Sequence, residues 1–427
     1  MTAKSSESQY EGQDGAAYER MRDLPPIPRI TVQAFCESHE ITAAIEEAAH
    51  DRRLSRSHLK VQAGGLSAAL EFYRSAATPN LIIVETTEKR DRFLGDLEKL
   101  AEVCDPSTKV VIIGHVNDVY LYRELIRRGV SEYVVTPLQA YDIIEIIARL
   151  YSDPQAKPLG KTIAFIGAKG GVGASVISHN ISWLISHEYG ANTLIADLDL
   201  PFGTANLDFN LDPPQGIADA LYANDRLDSN FFDRLITSCA EQLHMLAAPA
   251  TLERPYDLSE NSVESVIDCA RGSASWTILD IPHVWTAWAR KALISADEIV
   301  VVAAPDLANL RNAKNLIDTL TPARANDPAP KLVLNQVGMA KRPEIKPADF
   351  ARAIDVEPIG IIPFDPQLFG TAANNGQMLA EVQKNSKTID VLRGITKSLL
   401  QRAEMKKPKA SPFAFLDKLA DLTAGRK

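Results

Sequence analysis

The hydrophobic and polar positions of the chain alternate between two periods from about residue 29 to about residue 404. Short runs rich in β-branched residues, such as NLIIVET, KVVIIGH and SWTILDIP, indicate buried strands. Between these runs, apolar residues recur at the spacing of amphipathic helices, as in ITAAIEEAA and VYLYRELIRRG. Strands that alternate with helices favour parallel sheets covered by helices. The pattern therefore predicts an α/β protein with two doubly wound, mostly parallel sheets.

Breaks in this pattern divide the chain into segments. The polar start cannot offset its ordering entropy, and DPQAKPLGK interrupts both periods with two prolines and a glycine. We predict, in order, a disordered lead (1–28), a first α/β domain (29–152), a linker (153–160), a second and larger α/β domain (161–404) and a basic amphipathic tail (405–427).

Composition and charge narrow the functional classes. Hydrophobic residues make up 45% of the chain without any run of about 18 apolar residues, so we expect a soluble protein. The net charge of -9 argues against bulk or sequence-specific nucleic-acid binding. The four cysteines form no CxxC pair and the start lacks the apolar core of a secretory signal, which predicts a cytoplasmic location. The eight histidines lack metal-ligand spacing, so we expect no metal except phosphate-bound Mg²⁺.

A glycine-rich segment follows the strand run TIAFI and precedes an amphipathic helix. In that position backbone N–H groups and the helix N-terminus can surround a phosphate. Against the pattern GxxxxGK[ST], Ala168 stands at the first glycine and Ala174 at the lysine, whereas Ser175 remains available to Mg²⁺. The predicted phosphate-binding residues are Gly167, Lys169, Gly170, Gly171, Val172, Gly173, Ala174 and Ser175.

This segment resembles the loop of the ParA/MinD class of deviant P-loop ATPases, which reads KGGxGK[ST] and carries an additional signature lysine, here Lys169. The resemblance covers most of residues 161–385 and implies that the domain binds ATP and Mg²⁺. In LIADLD, Asp199 corresponds to the acid that orients the attacking water. The resemblance therefore implies catalytic roles for Lys169 and Asp199, while the changed lysine position predicts weak or absent ATP hydrolysis.

Further segments resemble the metal-binding and base-binding parts of the same class. Asp197, in LIADLD, would lie near the metal or the lysine, and Asp280 ends the strand run WTILDIP, where a carboxylate can bind the Mg²⁺ shell beside Ser175. Asn335 could donate its amide to adenine, and Pro363 and Asp365 are candidates for the wall of the base site.

The first domain resembles a response-regulator receiver in which all three chemical positions are altered. Glu85 stands at the phosphoacceptor aspartate, Gly114 or His115 at the serine or threonine, and Thr136, before Pro137, at the lysine. We therefore predict that this domain is not phosphorylated and serves as a docking or dimerising surface. The alternative is that Glu85 imitates a phosphorylated acceptor.

The combination of GAKGGVGAS, DLDLPFGTANLDFNLDPPQGIADAL and PDLANLRNAKNL resembles the TadZ/CpaE branch of the class. That branch contains localisation factors of tight-adherence (Flp, type IVb) pilus assembly, with a receiver-like domain before the ATPase domain. The resemblance implies an ATP-dependent homodimer that recruits pilus-secretion components at the cell pole. The alternative is a ParA/MinD-type ATPase for DNA partition or division-site positioning.

The tail is the feature that leaves membrane contact open. From Arg402 onward it has seven basic and three acidic residues, and Phe415, Leu416, Leu419 and Leu422 follow helical spacing. Such a segment suits either a partner protein or peripheral contact with the inner membrane.

Overall fold

A computed structural model describes residue 24 and residues 27–88, 90–152, 159–223, 226–252 and 255–404. Most of the predicted lead and linker, and the whole predicted tail, lie outside the described residues. The chain forms two compact units. Unit 1 comprises Met1–Leu159 and Thr319–Ala329, and unit 2 comprises Gly160–Asp318 and Pro330–Lys427.

The segment Thr319–Ala329 belongs to unit 1, whereas the predicted domain boundaries assign it to the second domain. It groups with unit 1, where Asp327 forms ion pairs with Arg52 at 2.7 Å and Arg53 at 2.8 Å. All three side chains are nearly buried, and the two guanidinium groups lower the pKa of Asp327 against the effect of burial.

Unit 1 alternates strands and helices as the hydrophobic pattern predicts. Its strands are β1 (Thr31–Cys36), β2 (His58–Ala63), β3 (Leu81–Glu85), β4 (Lys109–Gly114) and β5 (Glu132–Val135). Its helices are α1 (His39–Ala49), α2 (Gly65–Tyr73), α3 (Arg90–Val103), α4 (Val119–Arg127) and α5 (Ala140–Tyr151). The strands form one parallel sheet in the order β2-β1-β3-β4-β5.

The period of two along each strand sends side chains to opposite faces of this sheet. On β1, Val32 and Ala34 join a core with α1 and α5, whereas Phe35 joins a separate core with α2, α3 and α4. Both faces are therefore covered by helices, which explains why the strands read as continuous apolar runs.

Unit 2 contains the longer alternation. Its strands are β6 (Lys161–Gly167), β7 (Thr193–Asp197), β8 (Thr237–Ala240), β9 (Leu243–Leu246), β10 (Trp276–Ile281), β11 (Glu298–Ala303), β12 (Lys331–Val337) and β13 (Pro358–Pro363). Its helices are α6 (Ala174–Tyr189), α7 (Ala205–Asp208), α8 (Ile217–Tyr222), α9 (Ser229–Leu235), α10 (Glu264–Ser273), α11 (Ala287–Ser295), α12 (Leu307–Leu320), α13 (Pro347–Ile354), α14 (Pro366–Asn375), α15 (Leu379–Val382) and α16 (Lys387–Glu404).

The sheet of unit 2 has the strand order β13-β12-β11-β6-β10-β7-β9-β8. The pairs are parallel except for β8 with β9, an antiparallel edge that the sequence did not predict. Strand β10 lies between β6 and β7, so the carboxyl ends of these three strands meet at one edge of the sheet. Ligands of open α/β sheets bind at such an edge. Among the described helices, none is both long and apolar enough to cross a membrane.

Candidate functional site

The loop between β6 and α6, the predicted phosphate-binding segment, contains glycines in the left-handed backbone region. Gly171 and Gly173 have φ angles of 80° and 85°, which side-chain-bearing residues rarely adopt. A Cβ on Gly173 would also lie 2.7 Å from Nδ2 of Asn335. Helix α6 begins directly after Gly173, so its positive end points toward the loop. Glycine is thus required here both by the backbone angles and by the close approach of Asn335.

Side-chain donors from other segments bind the carbonyl groups of this loop. Asn335 donates Nδ2 to Val172 at 2.8 Å, and Gln336 donates Nε2 to Gly171 at 3.0 Å. Both residues belong to β12, and Gln336 itself has an unusual φ of 58°. These bonds turn the carbonyls of the loop toward the protein, which is the orientation a loop needs if its N–H groups are to face an anion.

Two further donors complete this set. Asn312, on α12, donates Nδ2 to the carbonyl of Ala168 at 2.9 Å. Nδ1 of His283, which follows β10, lies 2.9 Å from the carbonyl of Gly167. The sequence analysis predicted none of the three residues Gln336, Asn312 and His283, because they lie more than 100 residues beyond the loop in the chain and no local pattern marks them.

A cavity of about 910 Å³ opens in front of the loop. Its described lining includes the loop from Lys169 to Ser175, the turn from Asp199 to Phe202, Pro282 to Val284, and Trp288. Lys169 is exposed and is the one lysine or arginine in this lining. Its charge contributes to lowering the pKa of Asp306 against the effect of burial, together with hydrogen bonds from Asn309. The side of the cavity at Ala174 contributes a methyl group where a lysine would provide charge.

The three predicted acids occupy two environments. Asp199 lines the cavity, and burial together with the charge of Asp280 raises its pKa. Asp197 and Asp280 lie opposite each other on β7 and β10 and are buried, outside the described cavity lining. Burial, and then the charge of Asp280, raises the pKa of Asp197 to about 7. Ser175 lines the cavity, and the metal roles of Ser175, Asp197 and Asp280 stay predictions.

Asp197 also organises the backbone that follows β7. Its two oxygens accept the N–H groups of Asp199 and Ala205, each at 3.1 Å. A Cβ on Gly203 would come within 2.3 Å of the same carboxylate, so this turn wraps closely around it. The position of Asp199 on the cavity wall is therefore set by Asp197.

His179 is a site residue that the sequence analysis missed. It lies on α6 four residues after Ser175, fully buried, with Nδ1 2.7 Å from Asp208 and Nε2 3.3 Å from Asp280. Burial opposes its charged form, but the bond to Asp208 and the nearby carboxylate of Asp280 raise the pKa of His179 to about 10. Nε2 of His179 is buried and has no hydrogen-bond partner among the described residues.

The predicted base-binding residues are placed apart from this cavity. Asn335 is buried and uses its amide nitrogen on Val172, so a contact with adenine would have to use another atom or a rearranged amide. Pro363 ends β13, and Asp365 accepts the N–H of Leu368 at 3.0 Å as the N-cap of α14. The base-binding roles of Asn335 and Pro363 stay predictions.

In unit 1, the receiver-like pocket is filled by its own side chains. Glu85, at the end of β3, is fully buried and accepts the N–H groups of Glu37 and Ser38, each at 2.8 Å, and the hydroxyl of Ser38 at 2.7 Å. Nε2 of His115 lies 3.0 Å from the same carboxylate. Burial opposes ionisation, but the bonds from Ser38, Glu37 and His115 prevail and lower the pKa of Glu85.

His115 links Glu85 to Thr136, the residue at the predicted lysine position. It follows β4, and its Nδ1 lies 3.1 Å from the hydroxyl of Thr136, the residue at the lysine position. The carboxylate of Glu85 is thus joined to the ends of two neighbouring strands through one imidazole. The oxygens of Glu85 already have four donors, which favours a domain that takes no phosphoryl group. That absence of phosphorylation stays a prediction.

Comparisons with known proteins agree with this architecture. No model of a known protein family matches the chain. The septum site-determining protein MinD of Synechocystis is 26% identical over 238 residues, which are 53% of this chain and 85% of that protein. The structure of MinD from Pyrococcus horikoshii, complexed with Mg-ADP, matches 58% of this chain and 98% of its own with a TM-score of 0.51 and 21% identity. The matched part of the chain therefore has the fold of the ParA/MinD class of P-loop ATPases.

A second solved structure is more similar in sequence. The pilus assembly protein CpaE from Caulobacter crescentus is 52% identical to this chain over 98% of its own length and 30% of this chain, with a TM-score of 0.30. On this sequence identity, the chain belongs to the CpaE family of pilus assembly proteins.

Proposed function

We propose that the protein is an ATP-binding localisation and scaffold factor of tight-adherence (Flp, type IVb) pilus assembly. It dimerises around ATP and recruits secretion-system components at the cell pole. The observation that carries the proposal is the 52% identity with a CpaE pilus assembly protein in a chain whose second unit has a ParA/MinD-type phosphate loop.

The loop geometry supports nucleotide binding without strong catalysis. Backbone N–H groups, the N-terminus of α6 and the hydroxyl of Ser175 are the parts that bind phosphate and Mg²⁺. The absence of a lysine at position 174 removes a charge that stabilises the transition state of phosphoryl transfer. A bound Mg²⁺ would neutralise part of the triphosphate charge. The protein is therefore suited to use the bound state of ATP, rather than its turnover, as the signal for assembly.

The surface around the cavity supports a second copy as the partner that ATP recruits. Phe202, Val284 and Trp285 are between 41% and 71% exposed beside or near the cavity. Lys169, also exposed, is the residue that the ParA/MinD resemblance brings to the phosphates of the partner. Exposed apolar surface of this kind is typical of protein–protein interfaces, because its burial against a second chain is favourable.

Sedimentation of the full-length protein tests the gating role of Lys169. Wild type should shift from monomer to dimer on addition of Mg·ATP, and Lys169→Ala should lose most of this shift because no other loop cation neutralises the triphosphate. Lys384→Ala is the matched control, since Lys384 is exposed and lies outside the cavity lining. Equal monomer–dimer balances for wild type and Lys169→Ala, with and without Mg·ATP, would contradict gating through this lysine.

The pilus role needs a separate readout. In a strain that lacks the gene, wild type should restore surface pili and a polar fluorescent focus, and Lys169→Ala should restore neither. If pili form normally without the gene, the scaffold proposal is wrong even when the ATP-dependent dimer is observed.

A further inference from the structure

The buried cluster beneath the cavity joins four side chains from four elements. His179 lies on α6, Asp197 at the end of β7, Asp280 on β10 and Asp208 on α7. His179, Asp197 and Asp280 are at most 2% exposed, and one ligand atom of each lies within 4.8 Å of the other two. Three carboxyl groups thus surround a single imidazole in the interior of the unit.

Asp208 decides which ring nitrogen of His179 carries hydrogen. The contact of 2.7 Å between Nδ1 and a carboxylate oxygen of Asp208 requires a proton on Nδ1. When the Nε2 proton is displaced, a lone pair remains on Nε2, directed at the buried Oδ2 of Asp280 at 3.3 Å. Two acceptor atoms at this distance repel each other unless a cation, either a proton or a metal ion, lies between them.

Neither atom finds another partner. Nε2 of His179 and Oδ2 of Asp280 are buried and make no hydrogen bond within the described part of the chain. Buried polar atoms without partners are uncommon in folded proteins and call for an explanation. Here the two unsatisfied atoms face each other and the carboxylate of Asp197, which is the arrangement of a ligand set.

We propose that His179, Asp197 and Asp280 bind a transition-metal dication such as Zn²⁺, Mn²⁺ or Co²⁺, independently of nucleotide. An imidazole with two carboxylates suits these ions, whereas Mg²⁺ prefers oxygen ligands alone. Two ligand atoms, each about 2.1 Å from one ion at a tetrahedral angle, lie about 3.4 Å apart, close to the separation of Nε2 and Oδ2. The bond from Nδ1 to Asp208 is the contact that orients a metal-binding histidine.

The proposal assigns Asp197 and Asp280 to this ion instead of to the predicted Mg²⁺ shell, and leaves nucleotide-bound Mg²⁺ at Ser175. His179 lies one helical turn, or about 6 Å, further along α6. None of its three ligands belongs to the described cavity lining, whereas Ser175 does. The proposal does not depend on the pilus role, and its test contains no nucleotide.

Titration of the metal-depleted full-length protein with Co²⁺ tests the site. Wild type should bind one equivalent with visible absorption bands of nitrogen- and oxygen-bound Co²⁺, and calorimetry with Zn²⁺ should give the same stoichiometry. His179→Gln should lose this equivalent and the bands. Asp208→Asn keeps all three ligands and should raise Kd about 10- to 100-fold by releasing the imidazole.

His58→Gln is the matched control, because His58 is an exposed histidine of unit 1 and its loss should change neither stoichiometry nor spectrum. If wild type binds no more Co²⁺ than His179→Gln, a proton alone lies between Nε2 and Asp280 and the proposal is wrong. If His179→Gln does not fold, Asp208→Asn decides: an unchanged Kd for Co²⁺ overturns the proposal.

Discussion

The fold of unit 1 stabilises the ionised form of the Glu85 carboxylate. It is buried at the end of β3, yet donors from Glu37, Ser38 and His115 surround both of its oxygens. A buried charge is stabilised when it is completely hydrogen-bonded, and each bond to a charged group is worth more than a neutral one. Since the oxygens are used in this way, the residue ties the turn after β1 to the ends of β3 and β4.

We expect Glu85→Gln to lower the free energy of unfolding by about 1–3 kcal/mol at pH 7, because it removes a charged acceptor from its buried donors. The pKa of Glu85 is lower in the folded chain than in the unfolded chain. Its contribution is therefore present above the unfolded pKa of about 4.3 and is lost as the pH falls through the folded value.

Urea unfolding of the full-length protein at several pH values measures this effect. The difference between wild type and Glu85→Gln should shrink as the solution is acidified below about pH 4.3. Glu47→Gln, at an exposed position of α1, should have little effect at any pH. A pH-independent difference for Glu85→Gln would show that packing, rather than ionisation, explains the loss.

At the scale of elements, the phosphate loop is positioned by its neighbours. Strand β12 supplies Asn335 and Gln336, helix α12 supplies Asn312, and the segment after β10 supplies His283. In the sheet order β10 is a neighbour of β6 and β12 lies one strand beyond β11, the other neighbour, so the fold brings these donors to one loop. The loop is therefore preorganised before ligand binds, which reduces the ordering entropy that binding must offset.

Asn312→Ala should weaken binding of Mg·ATP roughly fivefold, because one neutral hydrogen bond to the loop is worth about 1 kcal/mol. Fluorescence titration with a labelled nucleotide gives the Kd directly. Asn374→Ala is a suitable control, since Asn374 is exposed on α14. Equal affinity for Asn312→Ala and wild type would mean that the loop does not need this bond to bind phosphate.

At the scale of the whole molecule, we expect slow turnover. The protein should keep ATP bound for far longer than most ATPases of this fold need to hydrolyse it. A single electrostatic group at the transition state is often worth about 10²- to 10³-fold in rate, and position 174 has none. Steady-state phosphate release by the full-length protein should therefore be slow or undetectable, and Ala174→Lys should raise it without loss of binding.

Asp199→Ala separates the two functional classes. Rapid hydrolysis by wild type that this variant abolishes would contradict the scaffold proposal and favour the alternative of a turning-over ATPase for partition or division-site positioning. Slow release that is insensitive to Asp199→Ala is the result that we expect for a scaffold.

The sequence by itself determined the elements and the position of the glycine-rich loop between β6 and α6. The apolar run in NLIIVET and the helical spacing in ITAAIEEAA are local, and local patterns specify strands and helices before any tertiary contact forms. The order strand, glycine-rich loop, helix around Gly167 to Ser175 likewise needs no distant residue. The α/β class of both units was therefore predictable, and the structure confirms it.

Only the tertiary structure decided which distant side chains meet. Chain order does not reveal that β10 inserts between β6 and β7, and this insertion brings Asp280 to Asp197 and to His179. The contact of His115 with Glu85 also depends on strand order, because β3 and β4 must be neighbours. Such contacts arise from the packing free energy of the whole sheet, which no short segment of sequence contains.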